Sequence, residues 1–337
     1  MKKSNKIVDF LYDNSLYVII GILLVIIVAV DPSFLRLNNF TTILTQSSTR
    51  IIFACGIAGI IVLGGTDLAL GREVGLAGVA AAAFLQSATY SQRVFSEDFP
   101  QLPIIVVILM TMAIIAVISS LHGVIVAHFG VAPFVASLGI QLISYGVCLQ
   151  YFNTVCGSNP LSGFTKEFSK FCQGTIKIGG LSLSYLMFYA LAVVLIMWVI
   201  WNRTTIGKNM FAIGGNREAA KVCGVNVKAV MILIYTLAGI LYAFGGILEV
   251  GRTGSANATM GSDYAMDAIA ACVVGGVSMK GGTGTIPGVV IGVIIFQIIT
   301  YGLIYIGVSP DLQYVVKGAI IIVAVILDNQ KALRKAA

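Results

Sequence analysis

The sequence predicts an all-α, polytopic integral membrane protein with about ten transmembrane helices, some of them broken by glycines. Of its 337 residues, 58% are hydrophobic and only 10% are charged, and the mean hydropathy is +0.96. Soluble chains carry about 25% charged residues, so this one lacks the polar surface that a globule needs in water. Apolar segments of about 20 residues, the length that crosses a bilayer, recur along the whole chain. We therefore treat residues 1–337 as a single transmembrane domain.

The predicted spans follow from windows of apolar residues bounded by polar or proline-containing segments. The second, third and eighth are the weakest because they are short or interrupted by glycines, which membranes tolerate where backbone is buried or lines a watery cavity. The expected spans are residues 15–31, 45–64, 72–90, 103–128, 133–152, 182–201, 229–250, 264–279, 287–308 and 311–328.

The distribution of Lys and Arg predicts the orientation. The basic N-terminus resembles a signal peptide, but no small-residue cleavage site follows before Asp31, so we expect a retained first helix. If the N-terminus is cytosolic, ten spans return the C-terminus to the cytosol, with 12 basic residues on the cytosolic side and 6 outside. Both termini are therefore predicted to be cytosolic, and the net charge of +7 needs no nucleic acid partner.

The cysteines and histidines give no metal-binding spacing. None of the six cysteines forms a C-x-x-C pair. Cys156 and Cys172 bracket an external loop, and the sequence leaves open whether they form a disulfide. His122 and His128 are six residues apart in one span and do not share a helix face. We expect no metal in this chain.

Two segments stand out from the apolar background: a polar external loop at 153–181 and a charged cytosolic loop at 202–228. In the cytosolic loop, Asn216 is a preferred N-cap and Gly224 a preferred residue just past a C-terminus. Glu218 and Lys221 match the helix dipole. This pattern predicts a two-turn helix over Asn216–Cys223, which is marginal unless it packs against something. The residues alone do not distinguish an ordinary surface helix from a docking element.

Polar residues within the predicted spans are candidates for a functional path, because ionisable groups at bilayer depth are costly. Asp67 lies in a glycine-flanked break, where it could pair with Arg72 across the path or cap the next helix. A second break at 275–284 partly repeats the glycines of the first. The translocation-path or gate candidates are Gln46, Arg50, Asp67, Arg72, Glu73 and Asp267. The candidates for docking an external protein partner are Glu249, Arg252 and Asp263, which cluster around the external end of the seventh and eighth spans.

The chain carries no nucleotide-binding loop. A phosphate-cradling loop needs G-x-x-x-x-G-K-[ST]. The one Gly-Lys pair, Gly207-Lys208, has Asn202 where the first glycine belongs and Asn209 in place of Ser or Thr. We therefore expect a transport subunit that is not an enzyme.

Three stretches resemble the permeases of sugar-importing ATP-binding cassette transporters, of the ribose and galactose type. These stretches are residues 204–225, 64–71 and 271–278; residues 44–48, 71–77 and 313–320 are similar to galactose-type members in particular. The resemblance implies import of galactose or methyl galactoside across the bacterial inner membrane by a homodimer. It implies a cytosolic ATPase, which holds ATP and Mg, and a periplasmic sugar-binding protein. It assigns ATPase coupling to Gly214, Gly215, Asn216, Arg217, Glu218, Ala219, Ala220 and Gly224.

One alternative function remains open: a secondary transporter of a small polar solute, driven by a cation gradient. It would use Asp67, Asp267 and Glu249 as ion-coupling carboxylates. It leaves the capped cytosolic helix unexplained, and a purely structural membrane protein would leave the glycine breaks unexplained.

Overall fold

The computed structural model describes residues 15–96, 99–178 and 181–336. The basic N-terminal residues used for the orientation lie outside these ranges. The described chain is mostly helical, with one short 3-10 turn at Pro32–Leu35. The helices are α1 (Ser15–Val30), α2 (Leu37–Val62), α3 (Leu70–Phe84), α4 (Ile104–His128), α5 (Pro133–Thr154), α6 (Lys166–Gln173), α7 (Tyr185–Arg203), α8 (Thr205–Gly215), α9 (Arg217–Val222), α10 (Val227–Thr253), α11 (Tyr264–Val274), α12 (Ile286–Tyr305) and α13 (Pro310–Ala336).

The external loop departs from the all-α prediction. Strands β1 (Thr175–Ile178) and β2 (Leu181–Ser184) form an antiparallel pair. The N-cap of the preceding helix α6 is Thr165, whose side chain accepts a hydrogen bond from the Phe168 backbone N–H. Its buried Phe168 and Cys172 pack against Gly251 at the external end of α10. The polar loop is thus a small folded cap over the membrane helices.

Each of the ten predicted spans overlaps one helix, but the helices differ in length. Six are long and apolar enough to cross a membrane: α2, α4, α5, α7, α10 and α12. Helices α3 and α11 have only 15 and 11 residues. Each follows a non-helical segment inside the protein, residues 63–69 before α3 and residues 254–263 before α11. The structure therefore supports a multi-pass membrane protein, and the exact number of crossings stays a prediction.

Helix α10 lies at the centre of the bundle, against α2, α3 and α4. Small residues make the close approaches possible. A Cβ on Gly56 would lie 2.9 Å from the Tyr242 ring, and one on Gly78 would lie 2.8 Å from Val250. Such contacts are typical of membrane helices, where close van der Waals packing drives association.

Two non-helical segments, here called interruptions, enter the helix bundle and meet beside the middle of α10. After α2, residues 63–69 return into the bundle to the start of α3, where Gly246 of α10 packs on Val74. After α10, residues 254–263 turn back from the other side, until Gly261 contacts the backbone of Gly71. Residues 254–263 therefore meet the first break, and so does the second glycine segment at 275–284, because a Cβ on Gly281 would lie 3.0 Å from the Gly64 nitrogen. The partial repeat between the two glycine breaks stays a prediction. That second glycine segment lies at the far end of α11, where the chain turns towards α12.

Candidate coupling surface and transport path

The predicted capped helix in the cytosolic loop is present as α9. The Asn216 side chain accepts a hydrogen bond from the Ala219 backbone N–H at 3.0 Å. Gly224 follows the helix with φ of +83°, a left-handed conformation in which other residues are strained. The local sequence chemistry thus specifies both ends of this short helix, as expected.

The same loop contains a second helix, α8, which the sequence prediction missed. Its N-cap is Thr204, whose hydroxyl accepts from the Gly207 backbone N–H at 3.3 Å. That threonine was the available signal, since Thr is a good N-cap. The loop at 202–228 therefore contains two consecutive helices, α8 and α9. They are separated by Asn216, which is the C-cap of α8 and the N-cap of α9.

The outer face of α9 is open to solvent. Arg217, Glu218, Ala219 and Lys221 are exposed, and only Ala220 is buried. Val222, which the sequence analysis did not select, is 88% exposed. We treat this exposed apolar side chain, one residue after the exposed Lys221, as a candidate anchor for a protein partner. Of the three glycines assigned to ATPase coupling, Gly215 and Gly224 are exposed, whereas Gly214 faces the membrane helices.

A group of polar side chains, here called the polar stripe, runs across α2, α11, α12 and α13. Asp267 accepts from the Lys317 ammonium at 3.1 and 3.2 Å and lies 3.7 Å from the Arg50 guanidinium. Gln297 donates to the Gln46 side-chain oxygen at 2.7 Å. These five residues define the stripe, and a cleft beside it is lined by Phe53, Tyr264 and Phe296. Three predicted path residues, Gln46, Arg50 and Asp267, thus meet in one place.

Glu249 does not fit the predicted docking role, because it is fully buried. Its carboxylate accepts four hydrogen bonds: two from Arg252 at 2.8 and 2.9 Å, one from Thr49 at 2.7 Å and one from Tyr264 at 2.9 Å. The Tyr264 ring also lies under the Arg50 guanidinium, 3.7 Å from it. Glu249 therefore anchors α2, α10 and α11 to one another and adjoins the polar stripe.

The other docking candidates differ from Glu249. Arg252 is committed to Glu249, and its side chain is 25% exposed. Asp263 accepts from the Tyr314 hydroxyl at 2.8 Å on an exposed surface. Both retain surface that a binding protein could contact, so their docking role stays a prediction.

Asp67 does not pair with Arg72. Its carboxylate accepts from the Ala69 backbone N–H at 2.9 Å and from the Tyr242 hydroxyl at 3.1 Å, and it lies 3.8 Å from His122. Asp67 thus closes the break through contacts with the backbone and with α10, whereas the N-cap of α3 is Ala69 and no side chain caps that helix. The Arg72 guanidinium instead lies over the Tyr145 ring at 3.9 Å.

Glu73 lies in the first turn of α3 and is also buried. One of its carboxylate oxygens accepts from the Ser119 hydroxyl at 2.5 Å, and the other has no partner among the described residues. Neither Asp67 nor Glu73 reaches the polar stripe, since their partners lie on α4 and α10. The six path candidates thus divide into a stripe group and a group inside the bundle.

Cys156 and Cys172 do not form a disulfide; both are buried free thiols. Burial raises the pKa of Cys156 to about 11 and that of Cys172 to about 12. Both thiols therefore stay protonated and unreactive near neutral pH. Among the described residues, no cluster of three or more potential ligands could hold a metal ion.

The fold and these sites define a multi-pass membrane transport subunit. Residues 39–325 match the family described as "Branched-chain amino acid transport system / permease component", and the chain belongs to that family. It is thus a permease component and not itself an enzyme.

The curated relatives cover almost the whole chain. The galactose/methyl galactoside import permease protein MglC of Escherichia coli is 55% identical over 97% of this chain and 96% of its own length. MglC of Haemophilus influenzae is 53% identical over 99% and 98%, respectively. The ribose import permease protein RbsC of E. coli is 35% identical over 92% and 91%. No solved structure matches this chain.

Proposed function

We propose that this chain is the transmembrane subunit of an ATP-driven importer that carries galactose or methyl galactoside across a bacterial inner membrane. The similarity to the two MglC proteins over nearly the full length carries this proposal. The exposed, capped helix α9 supports it as well, because a permease without a nucleotide-binding loop needs a docking surface for a separate ATPase. The polar face of that helix and its bare Val222 suit a soluble protein partner.

The proposed arrangement is a single domain with ten membrane helices and both termini in the cytosol. Helices α4, α5 and α7 expose large apolar side chains such as Leu109, Leu142 and Leu195, as lipid contact requires. Helices α3 and α11 supply half-crossings that begin where the two interruptions meet. On this arrangement α9 faces the cytosol, and Arg252 and Asp263 face the periplasmic binding protein.

The polar stripe supports a homodimer with the sugar path beside it. The side chains of Arg50, Asp267 and Lys317 are 24%, 17% and 16% exposed on the surface of one chain. Charged groups at bilayer depth do not face lipid, but pair or line a watery cavity. We therefore place the second copy and the translocation path against this surface, with Gln46, Arg50 and Asp267 as path residues.

The structure gives less support to cation-coupled transport. That function needs a carboxylate free to take up and release an ion. Glu249 already accepts four hydrogen bonds, and Asp267 lies between two cations. Asp67 is held by Ala69 and Tyr242. All three carboxylates are thus engaged in structural contacts.

An uptake assay on the purified chain alone separates the two functions. Proteoliposomes that contain only this chain, under an imposed proton or sodium gradient, will not accumulate methyl galactoside, because the chain has no nucleotide-binding loop and Asp67, Asp267 and Glu249 are held in structural contacts. Empty liposomes are the control. Accumulation driven by either gradient would contradict the proposal and establish the secondary transporter.

A further inference from the structure

Three backbone segments meet at the end of α8 with no side chain between them. The Gly282 backbone N–H donates to the Val62 carbonyl at 2.8 Å, which joins the segment after α11 to the end of α2. A Cβ on Gly214 would lie 1.8 Å from that same carbonyl oxygen and 2.6 Å from the Gly282 nitrogen. Only glycine fits at position 214. We call Val62, Gly64, Gly214, Gly281 and Gly282 the glycine junction.

Gly281 closes the junction from the opposite side. A Cβ at this position would lie 2.8 Å from the Gly214 carbonyl oxygen and 3.0 Å from the Gly64 nitrogen. Its φ of +85° also belongs to the left-handed region that favours glycine. The glycines that the sequence showed in the second break therefore serve this contact.

The junction connects the proposed docking helix with the polar stripe. Helix α8 ends at Gly215, and α9 begins at Arg217, after the single residue Asn216. On the other side, Val62 is the last residue of α2, which carries Arg50 about 18 Å further along the helix. Gly282 follows α11, which carries Asp267. Arg50 and Asp267 face each other in the stripe.

We propose that the glycine junction transmits movement of α9 to α2 and α11, and so opens and closes the polar stripe. Gly214 and Gly281 act as positioning residues in this relay. Backbone packed directly on backbone leaves no side-chain rotamers to absorb a displacement, so a shift of α8 passes to both membrane helices. The inference rests on the proposed function, because it requires an ATPase that moves α9.

Two matched pairs of variants test the relay. Gly214→Ala adds a methyl group against the Val62 carbonyl, whereas Gly139→Ala, on the exposed face of α5, adds one that meets nothing within 4 Å. Gly281→Ala and Gly276→Ala both place alanine at positive φ, +85° and +84°. Only the former presses on the junction, because a Cβ at Gly276 also meets nothing. Each pair therefore separates the contact from the substitution itself.

The measurement is the number of methyl galactoside molecules transported per ATP hydrolysed by the complex of this permease, its ATPase and its binding protein. We expect Gly214→Ala and Gly281→Ala to assemble and hydrolyse ATP but to lower this ratio roughly tenfold, the factor that about 1.4 kcal/mol of overpacking represents. Gly139→Ala and Gly276→Ala should retain the ratio of the unmodified complex.

Three outcomes would overturn the relay: an unchanged ratio in both junction variants, an equal fall in the controls, or failure of both junction variants to assemble while the controls do. The third would make the junction a structural contact alone. If the unmodified complex itself shows no ATP-driven uptake, the proposed function fails instead, so the two failures are distinguishable.

Discussion

Replacement of residues 216–223 by a flexible Gly-Ser linker of equal length will abolish association with the ATPase. The substitution removes the Asn216 cap, the whole of α9 and its exposed Val222, and so leaves the partner no ordered surface. Membrane insertion should be unaffected, because residues 216–223 lie outside the apolar helices. Co-purification of the ATPase from detergent extracts measures the effect, and the yield of permease in the membrane fraction is the internal control.

A single substitution on the same helix gives a sharper form of this test. Val222→Asp should weaken association by about 2 kcal/mol, as expected for an anchor residue at an interface. Val155→Asp is the matched control, because Val155 is also an exposed valine, but lies at the external end of α5. If the Val222 variant retains the ATPase as well as the Val155 variant does, α9 is not the docking element.

Loss of the Glu249 carboxylate will destabilise the membrane domain strongly. Glu249→Ala leaves Arg252 without its buried partner and removes acceptors from Thr49 and Tyr264. Breaking a buried ion pair by removing one partner costs about 3–5 kcal/mol. We expect a large fall in the thermal unfolding midpoint of the detergent-solubilised protein, followed by intrinsic fluorescence or by retention of a monodisperse peak.

Two further variants identify the cause of that loss. Thr49→Val removes one of the four donors to Glu249 and should cost only about 1 kcal/mol. The double variant Glu249→Ala with Arg252→Ala should cost less than Glu249→Ala alone, because no unpaired buried charge remains. A midpoint for Glu249→Ala close to that of the unmodified protein would show that the network contributes little to stability.

Features governed by local chemistry were predictable from the sequence. The ten apolar segments each contain a helix, and α9 begins and ends where Asn216 and Gly224 indicate. The choice of Gln46, Arg50 and Asp267 as path residues followed from the cost of polar groups at bilayer depth. Composition and periodicity carry this information directly, because each signal lies within one or two turns of the chain.

Features that depend on distant residues were not predictable. The sequence placed Glu249 at an interface because it lies near a predicted span end, but α10 continues to Thr253, and its partner Thr49 is 200 residues away in the chain. Pairing of Asp67 with Arg72 was one of two alternatives that proximity in sequence left open, whereas the actual partner Tyr242 is 175 residues away. The segment 254–263, which also meets the first break, has a polar composition that resembles an ordinary loop.

The same limit applies to the glycines. Sequence shows that Gly214, Gly281 and Gly282 are present, but not that their backbones meet, because the contact joins three separate segments of the chain. Gly214 and Gly215 are equivalent in the sequence and differ only in what surrounds them.

The most direct test of the account is uptake of labelled methyl galactoside into proteoliposomes that hold this permease with its ATPase, supplied with the binding protein on one side and ATP on the other. The account predicts accumulation that requires all three proteins and stops when a non-hydrolysable ATP analogue replaces ATP. Uptake that continues without ATP or without the ATPase would contradict it.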